Sequence, residues 1–329
     1  MGAAQSSEAA SPASNLLAAR TTLAERAANE QLDVSVDDVD LLFRKLGSAA
    51  ASAQKETLHY TCRGIRDSDV VTLGALALLQ PTWLRTLTSI NLAHNSIGDA
   101  GAAAFGKAFA SGATALRRLQ LHENRIGDEG LAALSRGLLP GGASNLQLLR
   151  LDFNRIGDPG VAALARAWAD GGALELRELY LVGNEVGSDG LIAVAAQLSR
   201  APKLCTLAFG SSSGGNKVGD AGAAALAAAL REQAARPHGT LTISLKNNQV
   251  SAAGEAEIDA ALKAAFSSTD VVAVTFSSRS GPTSSSRSDR SLFALHTTTT
   301  GTAIGKSPGM PTVHEQPEPM EDEAALLEA

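Results

Sequence analysis

Residues 116–131 read Leu-Arg-Arg-Leu-Gln-Leu-His-Glu-Asn-Arg-Ile-Gly-Asp-Glu-Gly-Leu, and residues 146–161 read Leu-Gln-Leu-Leu-Arg-Leu-Asp-Phe-Asn-Arg-Ile-Gly-Asp-Pro-Gly-Val. Both stretches follow the template L-x-x-L-x-L-x-x-N-x-I-G-D-x-G, after which comes an Ala/Leu-rich stretch. Related copies fill the chain between Leu87 and Phe266 with a period of 28 to 32 residues. A repeat of this length predicts a solenoid, in which each unit is buried by its neighbours.

Each repeat begins with a predicted strand that ends in a turn. In the first quoted copy Leu116, Leu119 and Leu121 occur among polar residues in an alternation that is typical of a half-buried strand. Asn124 comes next, and its side-chain amide can bond to backbone groups of the turn that no strand ladder reaches. The same asparagine recurs as Asn95, Asn154, Asn184 and Asn248.

A helix is predicted in the second half of each repeat. Asp128 is interpreted as its N-cap, because a carboxylate there can accept hydrogen bonds from the first amides of the helix. Pro159 follows the equivalent Asp158 directly, and proline is favoured at the first helical position. Apolar residues then recur at spacings of three and four, which predicts a helix that faces the strands. These residues are Leu131, Leu134 and Leu138.

One glycine recurs just after each of these cap positions. A residue without a side chain is needed where two backbones approach closely, so the glycine predicts tight packing between consecutive repeats. Its recurrence in register with a strand–turn–helix unit favours this structural role over a phosphate-binding loop. The glycines are Gly101, Gly130, Gly160, Gly190, Gly222 and Gly254.

Taken together, these motifs resemble the ribonuclease-inhibitor-type leucine-rich repeat over residues 55–276. The resemblance implies an α/β fold, a leucine-rich-repeat solenoid that forms a horseshoe or arc with a concave parallel β-sheet and convex α-helices. It also implies a protein that binds other proteins across the concave face and the rims, and that is not an enzyme.

The flanking regions differ from the repeats. We interpret residues 1–31 as a largely disordered segment with a weak helical pattern and residues 32–54 as a capping helix. Residues 55–276 then contain about seven repeats, the first and last of them degenerate. Residues 277–329 are rich in Ser, Thr and Pro, end in an acidic run, and are predicted to be a disordered tail. A Gly/Ser insertion at residues 210–215 is interpreted as a mobile rim loop, which is either a binding loop or tolerated slack.

The composition argues against several classes of protein. A net charge of −6 argues against a nucleic-acid-binding surface, which would show a basic stripe. Two cysteines are too few for a disulfide framework, and they predict a reduced, cytoplasmic protein. No apolar run approaches the roughly 20 residues that span a bilayer. No metal-ligand, nucleotide-binding or nucleophile motif is recognised, so the sequence predicts neither a cofactor nor catalysis.

The N-terminus matches a lipidation motif. Gly2 follows Met1 and precedes small uncharged residues and Ser6, as N-myristoylation requires. One acyl chain alone binds membranes only marginally, so membrane association is expected only if Gly2 is modified, and it would be reversible. A disordered Ala/Ser-rich start is the alternative interpretation, and the sequence leaves both open.

The candidate binding site is formed by residues that the central strands direct to the concave face. Those strands carry charged, aromatic and large apolar residues, whereas the flanking strands carry small ones. Tyr and Arg are enriched among residues that dominate binding energy, which favours Arg150 and Tyr180 as its centre. The predicted partner-binding residues are Arg118, Gln120, His122, Leu148, Arg150, Asp152, Phe153, Glu178, Tyr180 and Val182.

Two kinds of partner stay open. The first is a cytoplasmic protein that docks on the concave strands. The second is a small GTPase, because the Ran GTPase-activating proteins share this repeat subclass and end in an acidic segment, like the run from Glu315 to Glu328 here. No residue of this chain matches a catalytic position of that family, so the second alternative rests on the fold alone.

Overall fold

The computed structural model describes residue 21 and residues 57–79, 81–232, 241–265, 272–276 and 290–293. Within these residues, the strands form one sheet in which they follow one another in chain order. Strands β1 to β8 pair in parallel, and β9 pairs antiparallel with β8. The strands are β1 (Thr57–His59), β2 (Ser89–Asn91), β3 (Arg118–Gln120), β4 (Leu148–Arg150), β5 (Glu178–Tyr180), β6 (Thr206–Gly210), β7 (Leu241–Leu245), β8 (Val272–Phe276) and β9 (Arg290–Phe293).

Helices alternate with the strands and form a second layer. Two helices follow β1, and one α-helix follows each of the strands β2 to β7. Helices of consecutive repeats contact one another, just as consecutive strands do. The α/β leucine-rich-repeat solenoid predicted from the sequence is therefore confirmed. The helices are α1 (Asp67–Leu79), α2 (Pro81–Thr86), α3 (Asp99–Ala110), α4 (Asp128–Arg136), α5 (Asp158–Ala169), α6 (Ser188–Gln197, extended by the 3-10 helix Leu198–Arg200), α7 (Asp220–Glu232) and α8 (Ala252–Ala265).

The apolar core lies between the strand layer and the helix layer. Leu119 and Leu121 of the β3 repeat are fully buried, and so are Leu131 and Leu134 of α4. All four belong to one continuous cluster of buried side chains. Burying a leucine side chain stabilises the fold by about 1.5–3 kcal/mol. The template leucines therefore supply the burial that a thin repeat obtains only by stacking.

Asparagine side chains join each repeat to the preceding one. The Oδ1 atom of Asn154 accepts a hydrogen bond from the Ile126 amide at 2.9 Å, and its Nδ2 donates to the Leu121 carbonyl at 3.0 Å. Both backbone groups belong to the preceding repeat and lie outside the strand ladder, so their burial depends on this side chain. The predicted turn role of asparagine is confirmed. Equivalent bonds are made by Asn95, Asn124, Asn184, Asn216 and Asn248.

The recurrent aspartates also act between repeats. Asp128 is the first residue of α4, and its carboxylate accepts hydrogen bonds from the amides of Gly157 at 2.7 Å and Gly160 at 2.9 Å. Both amides lie at the start of α5, in the next repeat. The interpretation of Asp128 as the N-cap of its own helix is therefore wrong. Because the repeats stack side by side, the amides within reach of this carboxylate belong to the neighbouring helix.

Close packing explains the recurrent glycine. A β-carbon at Gly160 would lie 2.6 Å from Oδ1 of Asp128 and 3.0 Å from its Cα atom. Such contacts are too short for a real side chain. The predicted tight approach of consecutive repeats is confirmed, and the aspartate of the preceding repeat is what the glycine approaches.

The repeat that contains β6 differs from the others at its turn. Asn216, which the sequence analysis did not place on the template, accepts a hydrogen bond from the Val186 amide at 3.0 Å. Its Nδ2 donates to the carbonyl of Phe209 at 2.7 Å and to that of Leu181 at 2.8 Å. Asn216 therefore takes the role that Asn154 has in its own repeat.

The Gly/Ser insertion at residues 210–215 is packed against the next repeat. The Asn247 side chain donates to the Ser211 carbonyl at 2.7 Å, and the Ser211 amide donates to the Gly214 carbonyl at 2.7 Å. A β-carbon at Gly215 would overlap the carbonyl oxygen of Asn247. This packing favours an ordered turn over tolerated slack, because a β-carbon at Gly210 or Gly215 would overlap the backbone of the next repeat.

The ends of the array agree in part with the predictions. Leu58, Tyr60 and Ile65 are buried, as the interpretation of a degenerate first repeat requires, and β8 lies where the last strand of the array was predicted. Strand β9 was not predicted, since it falls in the range interpreted as a disordered tail.

Several predictions concern parts of the chain outside the described residues. They are the N-terminal segment at 1–31 (apart from residue 21), which includes Gly2, the capping helix at 32–54, and the tail at 277–329 apart from β9. Among the described helices, none is both long enough and apolar enough to cross a membrane.

Candidate functional site

The sheet carries two rows of side chains on the face opposite the helices, which we call the sheet face. The register of β3, β4 and β5 aligns three residues in each row. Arg118 is exposed, and the other members of the rows are partly exposed. The structure therefore brings six of the predicted site residues together on one accessible surface. One row consists of Arg118, Leu148 and Glu178, and the other of Gln120, Arg150 and Tyr180.

The remaining predicted site residues lie where the strands end. Phe153 is partly exposed, but His122 is only 9 % exposed, Val182 1 % and Asp152 0 %. The expectation that these last three side chains face a partner is wrong. All three are buried where the strands end, and the Val182 amide donates to Oδ1 of Asp152 at 2.9 Å.

Polar contacts organise the centre of the sheet face. The Nε atom of Arg150 lies 3.3 Å from Oδ2 of the buried Asp152. The Arg150 guanidinium also lies 5.5 Å from the centre of the Tyr180 ring, in cation–π contact. The Tyr180 hydroxyl donates to Oε2 of Glu178 at 2.9 Å. These contacts restrain Arg150 and Tyr180, so less side-chain entropy is lost when a partner binds them.

Burial changes the acidity of two groups in this network. Burial raises the pKa of the Asp152 carboxyl above its usual range, although Arg150 and the Val182 amide oppose the change. Burial and the hydrogen bond to Glu178 raise the pKa of the Tyr180 hydroxyl. Tyr180 therefore stays a neutral hydrogen-bond donor at neutral pH and above. The direction of the Asp152 shift shows that Arg150 only partly offsets the desolvation of this carboxylate.

Two histidines lie beside this network. The rings of His94 and His122 are 5.3 Å apart in an edge-to-face arrangement, and Nδ1 of His94 lies 2.7 Å from a carboxylate oxygen of Glu123. Burial lowers the pKa of His122 to about 3, and the charges of Arg150 and His94 add to the effect. Its Nδ1 atom has no hydrogen-bond partner. His122 is therefore a neutral, packed side chain, and it does not sense pH near neutrality.

Phe153 packs on glycines of the two following repeats. A β-carbon at Gly183 would overlap the Phe153 ring, and one at Gly214 would lie 3.0 Å from its Cε1 atom. Phe153 has a left-handed backbone conformation with φ 53°, as does Gly183 with φ 66°. The ring thus rests on a glycine surface at the end of the strands, and part of it stays accessible.

A third group of side chains was missed by the sequence analysis. It occupies the position after the template asparagine, and we call it the turn row. Hydrogen bonds align its members, because each donates its backbone amide to a carbonyl of the preceding repeat at 2.7–2.8 Å. The template itself could have revealed the row, since the position is polar in every copy except the degenerate first one. Its charged members are Arg125, Arg155, Glu185 and Lys217.

The arrangement offers charged, aromatic and apolar groups for contact with a partner. In the part of the chain that the structure describes, no group of three or more His, Cys, Asp or Glu residues could hold a metal ion. The cysteines Cys62 and Cys205 are free thiols. The chemistry of this surface is that of recognition, through guanidinium, aromatic and amide groups.

Comparisons with known proteins find a family model for the repeat and a solved structure with some similarity to this chain. The "Leucine Rich repeat" family model matches residues 84–106, 113–135, 142–165 and 176–195, so this chain contains leucine-rich repeats. The crystal structure of an internalin from Listeria monocytogenes is similar at 14% sequence identity and a TM-score of 0.35, covering 81% of this chain and 74% of that chain. No curated protein matches the chain. Domains built of such repeats generally mediate protein–protein interaction.

Proposed function

We propose that this chain is a non-enzymatic protein–protein interaction module that binds a protein partner on its sheet face. The observation that carries the proposal is the restrained pair of Arg150 and Tyr180, partly exposed at the centre of that face. Arg and Tyr dominate the energetics of many interfaces, particularly where neighbouring contacts hold them in place.

The surroundings of this pair support the same proposal. Leu148 and Phe153 add accessible apolar area, and the exposed Arg118 adds a charge at the start of β3. A central patch with aromatic and Arg groups, bordered by a small polar side chain at Thr206, has the composition of a protein interface. We also propose the ribonuclease-inhibitor-type subclass of the repeat, on the basis of the helix that follows each strand from β2 to β7.

The proposal is tested with the full chain as bait in a quantitative affinity capture from cell extract. We compare the unmodified chain with the Tyr180→Ala and Arg118→Glu variants. Each variant is expected to reduce retention of the specific partner about tenfold or more, because each removes an anchor of the central patch.

Two variants control for charge and for folding. Arg136→Glu makes the same charge change at an exposed residue of α4, and Thr242→Ala truncates a side chain on the same sheet at a distance from the patch. Both should keep the partner. If Tyr180→Ala and Arg118→Glu fold, as shown by circular dichroism, and still retain everything that the unmodified chain retains, the sheet face is not the binding surface.

Regulation of a small GTPase stays the alternative, supported only by the resemblance of the repeats. A panel of small GTPases tests it directly. Faster GTP hydrolysis in the presence of this chain would favour the alternative over a module that only binds.

We also propose a cytoplasmic protein whose membrane association depends on Gly2. The N-terminal motif is the support. Intact mass after co-expression with an N-myristoyltransferase tests it. A Gly2→Ala variant provides the control, and an unchanged mass for the unmodified chain would contradict lipidation.

A further inference from the structure

Two arginines of the turn row lie side by side. Leu119 and Leu149 are paired across β3 and β4, and Arg125 and Arg155 each follow their leucine by six residues. The Arg155 amide donates to the Ile126 carbonyl at 2.8 Å, which holds the two turns in register. Neighbouring strands lie about 4.8 Å apart, so the two arginine backbones are similarly close. Both side chains are exposed.

Two carboxylates of neighbouring turn positions are paired with other groups. Glu123 lies two residues before Arg125, but its carboxylate is 2.7 Å from Nδ1 of His94. Glu185, the next member of the turn row, pairs with Lys217 at 3.3 Å. Among the described residues, neither Arg125 nor Arg155 forms an ion pair. Along the turn row, Arg125 and Arg155 therefore have no ionic partner within the part of the chain that the structure describes, whereas Glu185 and Lys217 pair with each other.

Two adjacent arginines without partners are unfavourable in the free protein. Like charges held close together repel each other, and the whole chain carries a net charge of −6. The positive charge of this surface therefore comes from the two neighbouring arginines and is opposite in sign to the net charge of the chain. Arginine is also the cation best suited to carboxylates, because its planar guanidinium can donate two parallel hydrogen bonds to them.

Phe153 supplies an apolar neighbour to this charge. It lies two residues before Arg155 and rests on Gly183 and Gly214, with part of its ring accessible. An aromatic side chain therefore lies within two residues of Arg155, at the same end of the strands. Arg118, exposed at the opposite end of β3, extends the positive charge across the sheet face.

We propose that the surface made by Arg125, Arg155 and Phe153 binds a carboxylate-rich segment of the protein partner, with a large apolar residue of that segment packed on Phe153. This inference rests on the proposed function and specifies the chemistry of the partner. Carboxylates of the segment pair with the two arginines, as Glu185 pairs with Lys217 farther along the row.

Binding of a synthetic peptide to the full chain tests the inference. The probe is a fluorescent peptide that alternates glutamate and glycine and carries one central leucine, and fluorescence anisotropy measures its binding. A matched peptide with glutamine in place of glutamate should bind much more weakly, and added salt should weaken binding of the glutamate peptide. Each Arg→Gln substitution at 125 or 155 is expected to weaken binding about two- to fivefold.

Matched variants make the test specific. Arg136→Gln and Arg166→Gln remove the same charge from exposed positions on α4 and α5, and they should leave binding unchanged. Reversal of charge with R125E and R155E should instead favour a lysine–glycine peptide. Equal weakening by the helix variants would overturn the inference, and so would equal binding of the glutamine peptide. Equally good competition by a single-stranded oligonucleotide would also overturn it, because the surface would then select any polyanion.

Failure of this inference is distinguishable from failure of the proposed function. If Tyr180→Ala releases the captured partner while the two arginine substitutions have no effect on peptide or partner, the sheet face binds the partner and the acidic-segment inference is wrong. If the glutamate peptide binds at the arginines but Tyr180→Ala and Arg118→Glu retain the partner, the inference stands and the sheet-face proposal fails.

Discussion

The turns after β4 and β6 bind equivalent backbone groups through different sequences. Asn154 lies eight residues after Leu146, whereas Asn216 lies twelve residues after Leu204. Yet Asn154 accepts a hydrogen bond from the Ile126 amide at 2.9 Å, and Asn216 accepts one from the equivalent Val186 amide at 3.0 Å. The repeats therefore share the position of the asparagine side-chain amide in space. The number of residues before that asparagine can change, provided that the turn places its side chain at the same point.

The side chains that accept hydrogen bonds from the start of the next helix also differ between repeats. Asp158 accepts hydrogen bonds from the amides of Gly187 at 2.6 Å and Gly190 at 2.8 Å. In the next repeat Ser188 takes the place of the aspartate, and its hydroxyl accepts a hydrogen bond from the Gly219 amide at 3.0 Å. A neutral hydroxyl thus replaces a carboxylate, which is the stronger acceptor at the start of a helix.

The largest effect is expected from removal of the asparagines themselves. Asn154→Ala and Asn216→Ala should each lower the free energy of unfolding by about 3 kcal/mol, because each leaves more than one buried backbone group without a partner. Urea denaturation measures the loss. Asn145→Ala is the control, since that exposed side chain makes one bond to the Thr114 carbonyl at 2.7 Å. If Asn216→Ala were as mild as Asn145→Ala, the equivalence of the two turns would be broken.

A somewhat smaller effect is expected inside the insertion. Gly215→Ala would place a methyl group on the carbonyl oxygen of Asn247, and it should lower the free energy of unfolding by about 2–3 kcal/mol. Gly141→Ala is the matched substitution in a regular repeat. There the side chain meets nothing within 4 Å, and only the backbone conformation at φ 94° opposes it, which costs about 1 kcal/mol. Equal losses in the two variants would mean that the insertion can relax.

Two of the regular repeats bury an ionisable group, His122 or Asp152, at the position that is Gly210 in the repeat of β6. His122 is the clearest example, because its pKa is about 3 when folded and 6.5 as a free side chain. The unfolded chain takes up the proton first as the pH falls. The stability that depends on neutral His122 is therefore fully present above pH 6.5 and is lost as the pH drops toward 3. At pH 5 the loss is about 2 kcal/mol. Urea denaturation at pH 8 and pH 5 should show that His122→Gln loses less stability than the unmodified chain. An identical loss in both would contradict the burial of a neutral histidine.

The smallest effect should distinguish the two kinds of cap. Asp128→Ala should lower the free energy of unfolding by about 1 kcal/mol, and Ser188→Ala by about half as much, since the carboxylate serves two amides and also faces the positive end of a helix. Thermal denaturation under low salt measures both. Glu129→Ala controls for charge in the first turn of α4. A loss for Ser188→Ala equal to or above that for Asp128→Ala would reverse the comparison.

Much of the fold follows from local pattern, because burial in a repeat depends on periodicity. The alternation at Leu119 and Leu121 predicts a strand, and the spacing of Leu131 and Leu134 predicts a helix on the same core. The partners of polar groups were harder to predict. Asp128 has the residue type of an N-cap, but its amides belong to the next repeat, and only the stacking geometry brings them within reach.

The candidate site was predictable to a similar degree. Side-chain alternation correctly brings Arg150 and Tyr180 to one surface, since neighbouring parallel strands in register present the same face. Alternation fails where the strand ends, and there Asp152 and Val182 are buried. The turn row escaped notice because Arg125 and Arg155 lie outside any regular element.

The sequence by itself determined that the chain is a stack of strand–turn–helix units, because hydrophobic period and turn residues are local properties. It also determined which positions could vary from copy to copy without loss of the core. Only the tertiary structure decided which repeat each polar side chain serves, which ionisable groups are buried, and which charges stay unpaired. The physical reason is that hydrogen bonding and desolvation depend on the groups that neighbouring repeats bring together in space.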